Sequence, residues 1–174
     1  MIKFEKIKGD IKQYFSQVAE LLSGDNNVVL AYLFGSYGRD DVGPLSDVDI
    51  AVLLDESCSE GKYLDKQLEL MADIGHILGT NEVDLVILNE APVDLSYSVI
   101  ESGKALYCRD GLSRVCFETL VTEKYLDTAR MRKEYFYFLR KQIGEGRMFN
   151  GHRLKKHQRS LEQIKRMFGQ TGAS

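Results

Sequence analysis

Two carboxylates stand two residues apart at the start of an apolar run. Asp47 and Asp49 lead directly into the residues Ile50 to Leu54. Side chains alternate between the two faces of a strand, so both carboxylates lie on one face if this run is a strand. Two neighbouring negative charges repel each other unless a cation lies close to both. Mg2+ prefers oxygen ligands and leaves room for substrate phosphates, so the spacing predicts a magnesium site.

A Gly-Ser pair precedes these carboxylates. Gly35-Ser36 ends the apolar run that begins at Val28, and ten residues separate Ser36 from Asp47. A turn with little side chain lets backbone N–H groups approach phosphate oxygens, and the Ser36 hydroxyl adds another donor. Arg39 follows one turn later and could reach the β- or γ-phosphate. The simpler interpretations are a tight turn for Gly35-Ser36 and a solvated side chain for Arg39.

A third carboxylate opens the next apolar run. Asp84 begins that run much as Asp49 begins the one before it. Two metal ions can stabilise both the entering and the leaving oxygen of a phosphoryl group, and Asp47 and Asp49 are the natural bridging ligands. Asp84 would complete the site and could take the proton of the attacking hydroxyl. Three rival acids lie in turns, where solvated carboxylates are common: Asp40, Asp41 and Asp55.

The pattern of Gly35, Ser36, ten residues and Asp47-x-Asp49 resembles the GS-x10-DxD signature of nucleotidyltransferases with the DNA-polymerase-beta-like fold. The short chain, without a second catalytic module, is similar to the minimal nucleotidyltransferase (MNT) family. That family usually supplies the antitoxin of HEPN/MNT toxin–antitoxin pairs. The resemblance covers roughly residues 28–110, and the flanking helices only loosely.

The resemblance implies a Mg2+-dependent adenylyltransferase that uses ATP to place AMP on a hydroxyl. Its metal ligands and catalytic residues would be Asp47 and Asp49, with Asp84 assigned from strand order alone. Two Mg2+ ions are expected, and the nucleotide would contact Gly35, Ser36 and Arg39. In the resembling antitoxins the acceptor is a tyrosine of the HEPN toxin, a ribonuclease that the modification silences.

Two alternatives stay open at this point. The acceptor could be a small molecule such as an aminoglycoside, although drug-modifying relatives usually carry a larger second helical domain than this chain provides. The chain could instead be a non-catalytic antitoxin that buries its partner's active site. The intact set of Gly35, Ser36, Asp47 and Asp49 argues against that interpretation.

Strands and helices must position these residues, and their predicted order indicates an α/β (α+β) fold. We expect a small mixed sheet of the polymerase-beta-like kind, backed by helices. Alternating helical and strand periodicities carry the prediction. The four predicted strands are Val28–Phe34, Val48–Leu54, Glu82–Leu88 and Lys104–Cys108. The predicted helices cover residues 11–22, 62–78 and a short stretch after Pro92, with another turn of helix at residues 36–41. In the helix over residues 62–78, the predicted apolar face consists of Leu64, Leu68, Met71 and Ile74, with Ile77 and Leu78.

The chain after residue 110 predicts a helical extension. Helical spacing runs from Leu112 to Leu139 and includes the aromatic cluster Tyr135–Phe138, until Gly144 and Gly146 break it. The segment from Arg147 to Phe168 carries seven Lys or Arg residues and one acid, unlike the acidic remainder. We therefore predict a nucleotidyltransferase domain at residues 1–110 and an extension at 111–174, with a basic tail from about 147. The extension would bind a protein partner or a second copy of the chain.

Whole-chain properties narrow the function classes. The 174 residues carry a net charge of −3, which does not suggest a dedicated nucleic-acid binder. No apolar run approaches the roughly 18 residues of a membrane helix. The N-terminus lacks the apolar core of a signal peptide, so we expect a cytoplasmic protein without membrane association. Three scattered cysteines, Cys58, Cys108 and Cys116, lack metal-site spacing and are interpreted as reduced thiols.

Overall fold

Four strands form one mixed sheet in the computed structural model, which describes residues 11–43 and 46–144, without the side chains of residues 11 and 12. The strands are β1 (Val28–Phe34), β2 (Val48–Leu54), β3 (Val83–Ile87) and β4 (Lys104–Cys108). Their order is β3-β2-β1-β4, with β1 antiparallel to both of its neighbours and β2 parallel to β3. All four predicted strands are confirmed, β3 being one residue shorter at each end.

Helices cover both faces of this sheet. The helices of this part of the chain are α1 (Phe15–Gly24), α2 (Gly35–Gly38), α3 (Tyr63–Leu78), α4 (Val93–Ser102) and α5 (Gly111–Asp127). One more helix, α6 (Ala129–Gly144), belongs to a separate compact unit of the chain. Two short 3-10 helices precede α1 and α3 (Ile11–Tyr14 and Glu60–Lys62). The first strand is apolar along its whole length because it is an interior strand with helices on both sides, as predicted.

Two apolar clusters show which face each helix covers. One cluster joins Val48, Ile50 and Val52 of β2 with buried residues of α1 and α3. The other joins Ala51 of β2 with Val99 of α4, and Phe117 of α5 packs against it. Alternate residues of β2 therefore point to opposite layers of the fold. This parity decides where the carboxylates point.

The predicted apolar face of α3 is confirmed at Ile74 and Leu78 but is wrong in the first two turns of the helix. Leu64 and Leu68 were expected to face the core, but they are 64% and 56% exposed. The sheet-facing side carries buried apolar residues and one amide: Tyr63, Gln67, Leu70, Ile74 and Leu78. The Gln67 amide donates a hydrogen bond to the carbonyl of Leu85 on the edge strand β3. Hydrophobic spacing alone does not predict this part of the face, because a polar residue, Gln67, lies on it and bonds to the edge strand. The predicted end of the helix at Gly79 is confirmed, with a left-handed φ of 65°.

A hydrogen-bonded side-chain network holds α5 on the sheet. The hydroxyl of Tyr32 in β1 donates to Glu118 at 2.6 Å, and Arg114 donates to the same carboxylate at 2.8 Å. The Arg114 guanidinium also lies 5.9 Å from the centre of the Tyr32 ring. Tyr32 itself is buried. An interior strand is therefore linked to α5 by polar as well as apolar contacts.

The described part of the predicted extension, residues 111–144, is helical as predicted, but the helix is interrupted. One helix ends at Asp127 and the next begins at Ala129, and the chain divides into two compact units after Asp127. Of the predicted apolar side of α5, only Val121 is buried, whereas Leu112 and Val115 are exposed. The domain boundary predicted near residue 110 stays a prediction. Within residues 11–43 and 46–144, no helix combines the length and apolar character needed to cross a membrane.

Candidate active site

The pairing of β2 with β3 brings two predicted carboxylates side by side. The strands run parallel, and Asp49 lies directly opposite Asp84 in their register. Asp49 alternates with Val48 and Ile50, whose side chains belong to the cluster under α1 and α3, so it points to the opposite face. Asp84 alternates with Val83 and Leu85 of that same cluster and shares the face of Asp49. The carboxylates thus stand together on the α4–α5 side of the sheet.

Gly35 brings the end of β1 against the Asp49 carboxylate. Its φ is +62°, a conformation that side chains other than glycine's rarely adopt. A Cβ atom placed on Gly35 would lie 1.9 Å from Oδ2 of Asp49. Phe34, the residue before it, pairs with Asp49 in the antiparallel register of β1 and β2. A side chain at this position would strain the backbone and would displace the Asp49 carboxylate.

Ser36 and Arg39 follow in the short helix α2 and just beyond it. The N–H of Asp41 donates to the Ser36 carbonyl at 2.9 Å, and the N–H of Arg39 donates to the Gly35 carbonyl at 3.3 Å. These bonds close the turn that the sequence pattern predicted, although α2 ends at Gly38 rather than near residue 41. Arg39 is exposed at the surface of the turn. Its guanidinium is therefore accessible to an anionic ligand.

The electrostatics of Asp49 show that the predicted residues act on one another. Partial burial raises the pKa of its carboxyl, and the negative charges of Asp84 and Asp47 raise it further. The positive charge of Arg39 acts in the opposite direction and lowers that pKa. The structure thus assembles residues from β2, β3 and the turn after β1 around one carboxylate. A cation placed there would relieve the repulsion.

A fourth acid joins this group, and the sequence reading did not single it out. Glu82 lies beside Asp47, where a hydrogen bond between the two carboxyls, burial and the charge of Asp47 raise the pKa of Glu82. The N–H of Val48 donates to the Glu82 carbonyl at 3.0 Å, which fixes the two segments next to each other. A signal was present: Glu82-Val83-Asp84 repeats the acid-x-acid spacing of Asp47-Val48-Asp49. Only the parallel register reveals that the two pairs face each other.

Two of the three rival acids have charged partners away from Asp49. Asp40 pairs with Lys104, and Asp55 pairs with Arg109 at the other end of β2. Hydrogen bonds from Ser57, together with the Arg109 contact, lower the pKa of the Asp55 carboxyl to about 2. Neither acid contributes to the cluster around Asp49. The basic segment predicted from Arg147 onward lies outside the described residues.

The carboxylates supply only some of the ligands that a divalent cation needs. Among the residues described, no three His, Cys, Asp or Glu side chains are arranged to hold a metal ion by themselves. Mg2+ in nucleotide enzymes is usually bound by one or two carboxylates together with substrate phosphates and water. Asp49 and its neighbours offer that smaller set of hard oxygen donors. The donor chemistry therefore suits Mg2+ that arrives with a nucleotide.

Comparisons with known proteins agree with this fold. A family model described as polymerase beta nucleotidyltransferase matches residues 16–112. The chain is similar to a chain of a mutant toxin–antitoxin complex, MntA-HpeT, with a TM-score of 0.62 and 25% identity, covering 72% of this chain and 97% of that one. A toxin–antitoxin structure with AMP-PNP gives a TM-score of 0.60 and 27% identity, with coverages of 71% and 97%.

A third similar structure comes from Shewanella oneidensis. It holds a tri-AMPylated HEPN toxin in complex with an MNT antitoxin, and the match has a TM-score of 0.59 and 24% identity over 75% of this chain and 98% of that one. At that identity the likeness shows the fold alone. A search of curated proteins found no significant match.

Proposed function

This chain belongs to the polymerase beta nucleotidyltransferase family, and we propose that it transfers AMP from ATP to a tyrosine hydroxyl of a HEPN-type partner protein. The observation that carries the proposal is the in-register pair of Asp49 and Asp84 against which the Gly35 turn packs. This arrangement places carboxylates, backbone N–H groups and the Arg39 cation at one end of the sheet. Those are the groups that a nucleoside triphosphate with Mg2+ requires.

Each residue has a defined part in this proposal. Asp47, Asp49 and Asp84 would hold Mg2+, two ions in the fully loaded site, which supplies charge neutralisation for the triphosphate. The Gly35-Ser36 turn would donate hydrogen bonds to phosphate oxygens, and Arg39 would pair with the β- or γ-phosphate. Asp84 is exposed beside Asp49 and would accept the proton of the acceptor hydroxyl. The nucleotide would therefore bind at this end of the sheet.

The transfer step balances without a further reactant. The acceptor oxygen forms a bond to the α-phosphorus of ATP while the bond from that phosphorus to the β-bridging oxygen breaks. Pyrophosphate leaves with the electron pair of the broken bond, and the acceptor's proton passes to Asp84. The product is an AMP ester of the acceptor, and no oxidant or reductant takes part.

The biological part of the proposal is an antitoxin role in the cytoplasm. The similar solved structures are toxin–antitoxin complexes, one with AMP-PNP and one whose HEPN toxin is tri-AMPylated. Exposed apolar side chains on α5, such as Leu112 and Val115, supply surface for a protein partner or for a second copy of this chain. These observations favour a protein acceptor over a small molecule.

A labelling experiment tests the proposal and its alternatives. The protein is incubated with Mg2+, the purified HEPN-type partner and ATP labelled on either the α- or the γ-phosphate. We expect the partner to acquire the α-label and not the γ-label, and a Tyr-to-Phe change at the modified position to abolish it. Binding of the partner without transfer of label would leave a non-catalytic antitoxin. Labelling of an aminoglycoside instead of the protein would assign a small-molecule acceptor.

A further inference from the structure

The turn that carries Arg39 is connected to the start of β4 by an ion pair. Nζ of Lys104 contacts Oδ2 of Asp40, the residue that follows Arg39. Lys104 is the first residue of β4, and it pairs with Leu33 of β1 in the sheet register. Asp40 has a φ of +58°, so its backbone is in the left-handed region that Asp and Asn tolerate better than most residues. The pair therefore links a constrained turn residue to the sheet.

Backbone packing at the same place strengthens this link. A Cβ atom on Gly38 would lie 2.9 Å from the Leu33 carbonyl oxygen and 3.2 Å from that of Ser102. The turn thus rests directly on the junction between α4 and β4. Gly103, in that junction, is equally confined, because a Cβ atom there would lie 2.4 Å from the Val99 carbonyl oxygen. The surface beneath the turn is backbone, which cannot move aside as a side chain can.

Arg39 depends on this anchorage for its position. Among the described residues, its guanidinium makes no side-chain hydrogen bond or ion pair within contact distance. Its position relative to the acids is then set by the backbone of the turn, which Asp40 and Gly38 attach to the sheet. An exposed side chain that must meet a phosphate loses less freedom on binding when its backbone is already fixed.

We propose that Lys104 and Asp40 are positioning residues that hold Arg39 where it can pair with a phosphate of the nucleoside triphosphate. This inference rests on the proposed function and extends it to a residue outside the signature of glycine, serine and two acids. Lys104 would act through the turn rather than by touching the nucleotide. Its side chain lies with that of Leu33, toward the α1–α3 face, whereas the acids point to the other face.

The first test measures the affinity of the whole protein for ATP and Mg2+ by calorimetry. Lys104→Met keeps the length of the side chain and removes its charge, and Asp40→Asn suits the left-handed backbone. We expect either change to weaken ATP binding by about three- to fivefold at low salt, which is the upper range for an exposed ion pair. Lys104→Arg should restore binding. Affinity equal to wild type in both charge-removing variants would overturn the proposal.

A matched control breaks a similar ion pair at the other end of the sheet. Arg109 pairs with Asp55 and also donates to the Asn26 carbonyl at 3.3 Å. Arg109→Gln therefore removes a charge just after the end of β4, far along the strand from the turn that carries Arg39. ATP affinity should stay at the wild-type value in this variant. A loss equal to that of Lys104→Met would mean that both changes act through general stability, and the positioning role would be rejected.

The second test separates positioning from direct contact. In an Arg39→Ala background, Lys104→Met should cause no further loss of ATP affinity, because its effect passes through Arg39. An undiminished further loss would show that Lys104 meets the phosphate itself and would overturn the proposal as stated. A wild-type protein that binds no ATP would refute the proposed function instead.

A measurement without nucleotide tests the role of the ion pair even if the protein binds no ATP. Hydrogen exchange of the Asp41 amide, which donates to the Ser36 carbonyl at 2.9 Å, reports opening of the turn. Exchange should be faster in Lys104→Met and in Asp40→Asn than in wild type, and unchanged in Arg109→Gln. Equal exchange rates in all four proteins would show that the ion pair does not hold the turn.

Discussion

At the scale of single residues, the close contact between Gly35 and Asp49 joins the turn after β1 to the acid cluster. The turn can approach the carboxylate only because Gly35 lacks a side chain and adopts a φ of +62°. This position therefore combines two separate requirements, backbone conformation and space. They can be separated experimentally, since the chain contains a second glycine with only the first requirement. Gly79 has a φ of +65° and no atom within 4 Å of a built Cβ.

Gly35→Ala and Gly79→Ala should therefore behave differently. Both should lose about 1–2 kcal/mol of stability from the left-handed backbone. Only Gly35→Ala should also reduce AMP transfer, by at least about tenfold, because its methyl group displaces the Asp49 carboxylate. Urea unfolding and transfer assays on the two variants make the comparison. Equal activities would show that the close approach has no role in the reaction.

The pKa of Asp49 leads to a prediction about stability. Partial burial, Asp84 and Asp47 raise this pKa in the folded protein, so the folded state keeps a proton at pH values where the unfolded state has lost it. Stability then falls as pH rises from the unfolded pKa of about 4 through the raised folded pKa, and it stays lower above that range. Asp49→Asn removes this loss.

We accordingly expect metal-free Asp49→Asn to be more stable than wild type at pH 7, with the difference shrinking toward pH 4. Urea unfolding over a pH series in the presence of a chelator measures this. A difference that does not change with pH would mean that the carboxylate is not destabilised by its neighbours. Lower stability of the variant at pH 7 would contradict the sign of the argument.

Most residues of the candidate site were predictable from the sequence, and the exception has a physical cause. Asp47, Asp49 and Gly35 were identified from spacing, and Asp84 was chosen because it opens the next strand. Glu82 was overlooked because its importance depends on the register of β2 and β3, which places it beside Asp47. Register is a property of two segments paired in space. A one-dimensional pattern contains it only indirectly.

At the scale of elements, the parallel pairing of β2 and β3 brings the acids together. Both strands begin with an acid-x-acid pair, and only a parallel arrangement places two strand starts at the same edge. The connection through α3 makes this pairing expected, since a helix between two strands of one sheet usually returns the chain in the same direction. The order of the strands and the identity of the buried face of α3 were less accessible to sequence reasoning.

The attachment of α5 to the sheet provides a prediction at this scale. Burial and the neighbouring Glu118 carboxylate raise the pKa of Tyr32, which therefore remains a neutral donor to that carboxylate. Tyr32→Phe should cost about 1–2 kcal/mol of stability, since the lost hydrogen bond had a charged acceptor. Tyr97→Phe is the control, because it keeps the ring stacked on Tyr125 at 3.7 Å. Urea unfolding decides, and equal midpoints for the two variants would exclude a contribution from the network.

At the scale of the whole molecule, the acid cluster and the exposed apolar side chains belong to different parts of the chain. The proposed nucleotide site consists of residues from the sheet and its first turn, within the part matched by the polymerase beta family model. Apolar side chains stay exposed on α5, and within α6 the aromatic residues Tyr135, Phe136 and Tyr137 are more than half exposed. Such exposure was predicted from the density of large apolar residues after residue 110. We therefore expect this half to bind the protein partner.

The basic segment from Arg147 to Phe168 should act on the encounter with the partner. A chain truncated after Gly144 should bind ATP as well as the full protein does. It should associate with the HEPN-type partner more slowly at low salt, by about tenfold, and the difference should vanish as salt screens the charges. Stopped-flow association over a salt series measures this. Equal rates at low salt would remove any recruiting role of the segment, and tight RNA binding by the full chain would assign it to nucleic acid instead.

The measurement that tests the central claim most directly compares Asp49, in β2, with Asp55, the residue that follows β2. The rate of AMP transfer from α-labelled ATP to the HEPN-type partner is measured for wild type, Asp49→Asn and Asp55→Asn with Mg2+ present. Both changes replace a carboxylate by an amide of equal size, but Asp55 lies away from the acid cluster and pairs with Arg109. We predict that Asp49→Asn is at least ~100-fold slower, as expected for the loss of a major electrostatic contact in the transition state, while Asp55→Asn keeps the wild-type rate. Transfer by Asp49→Asn at a rate near wild type would contradict the account.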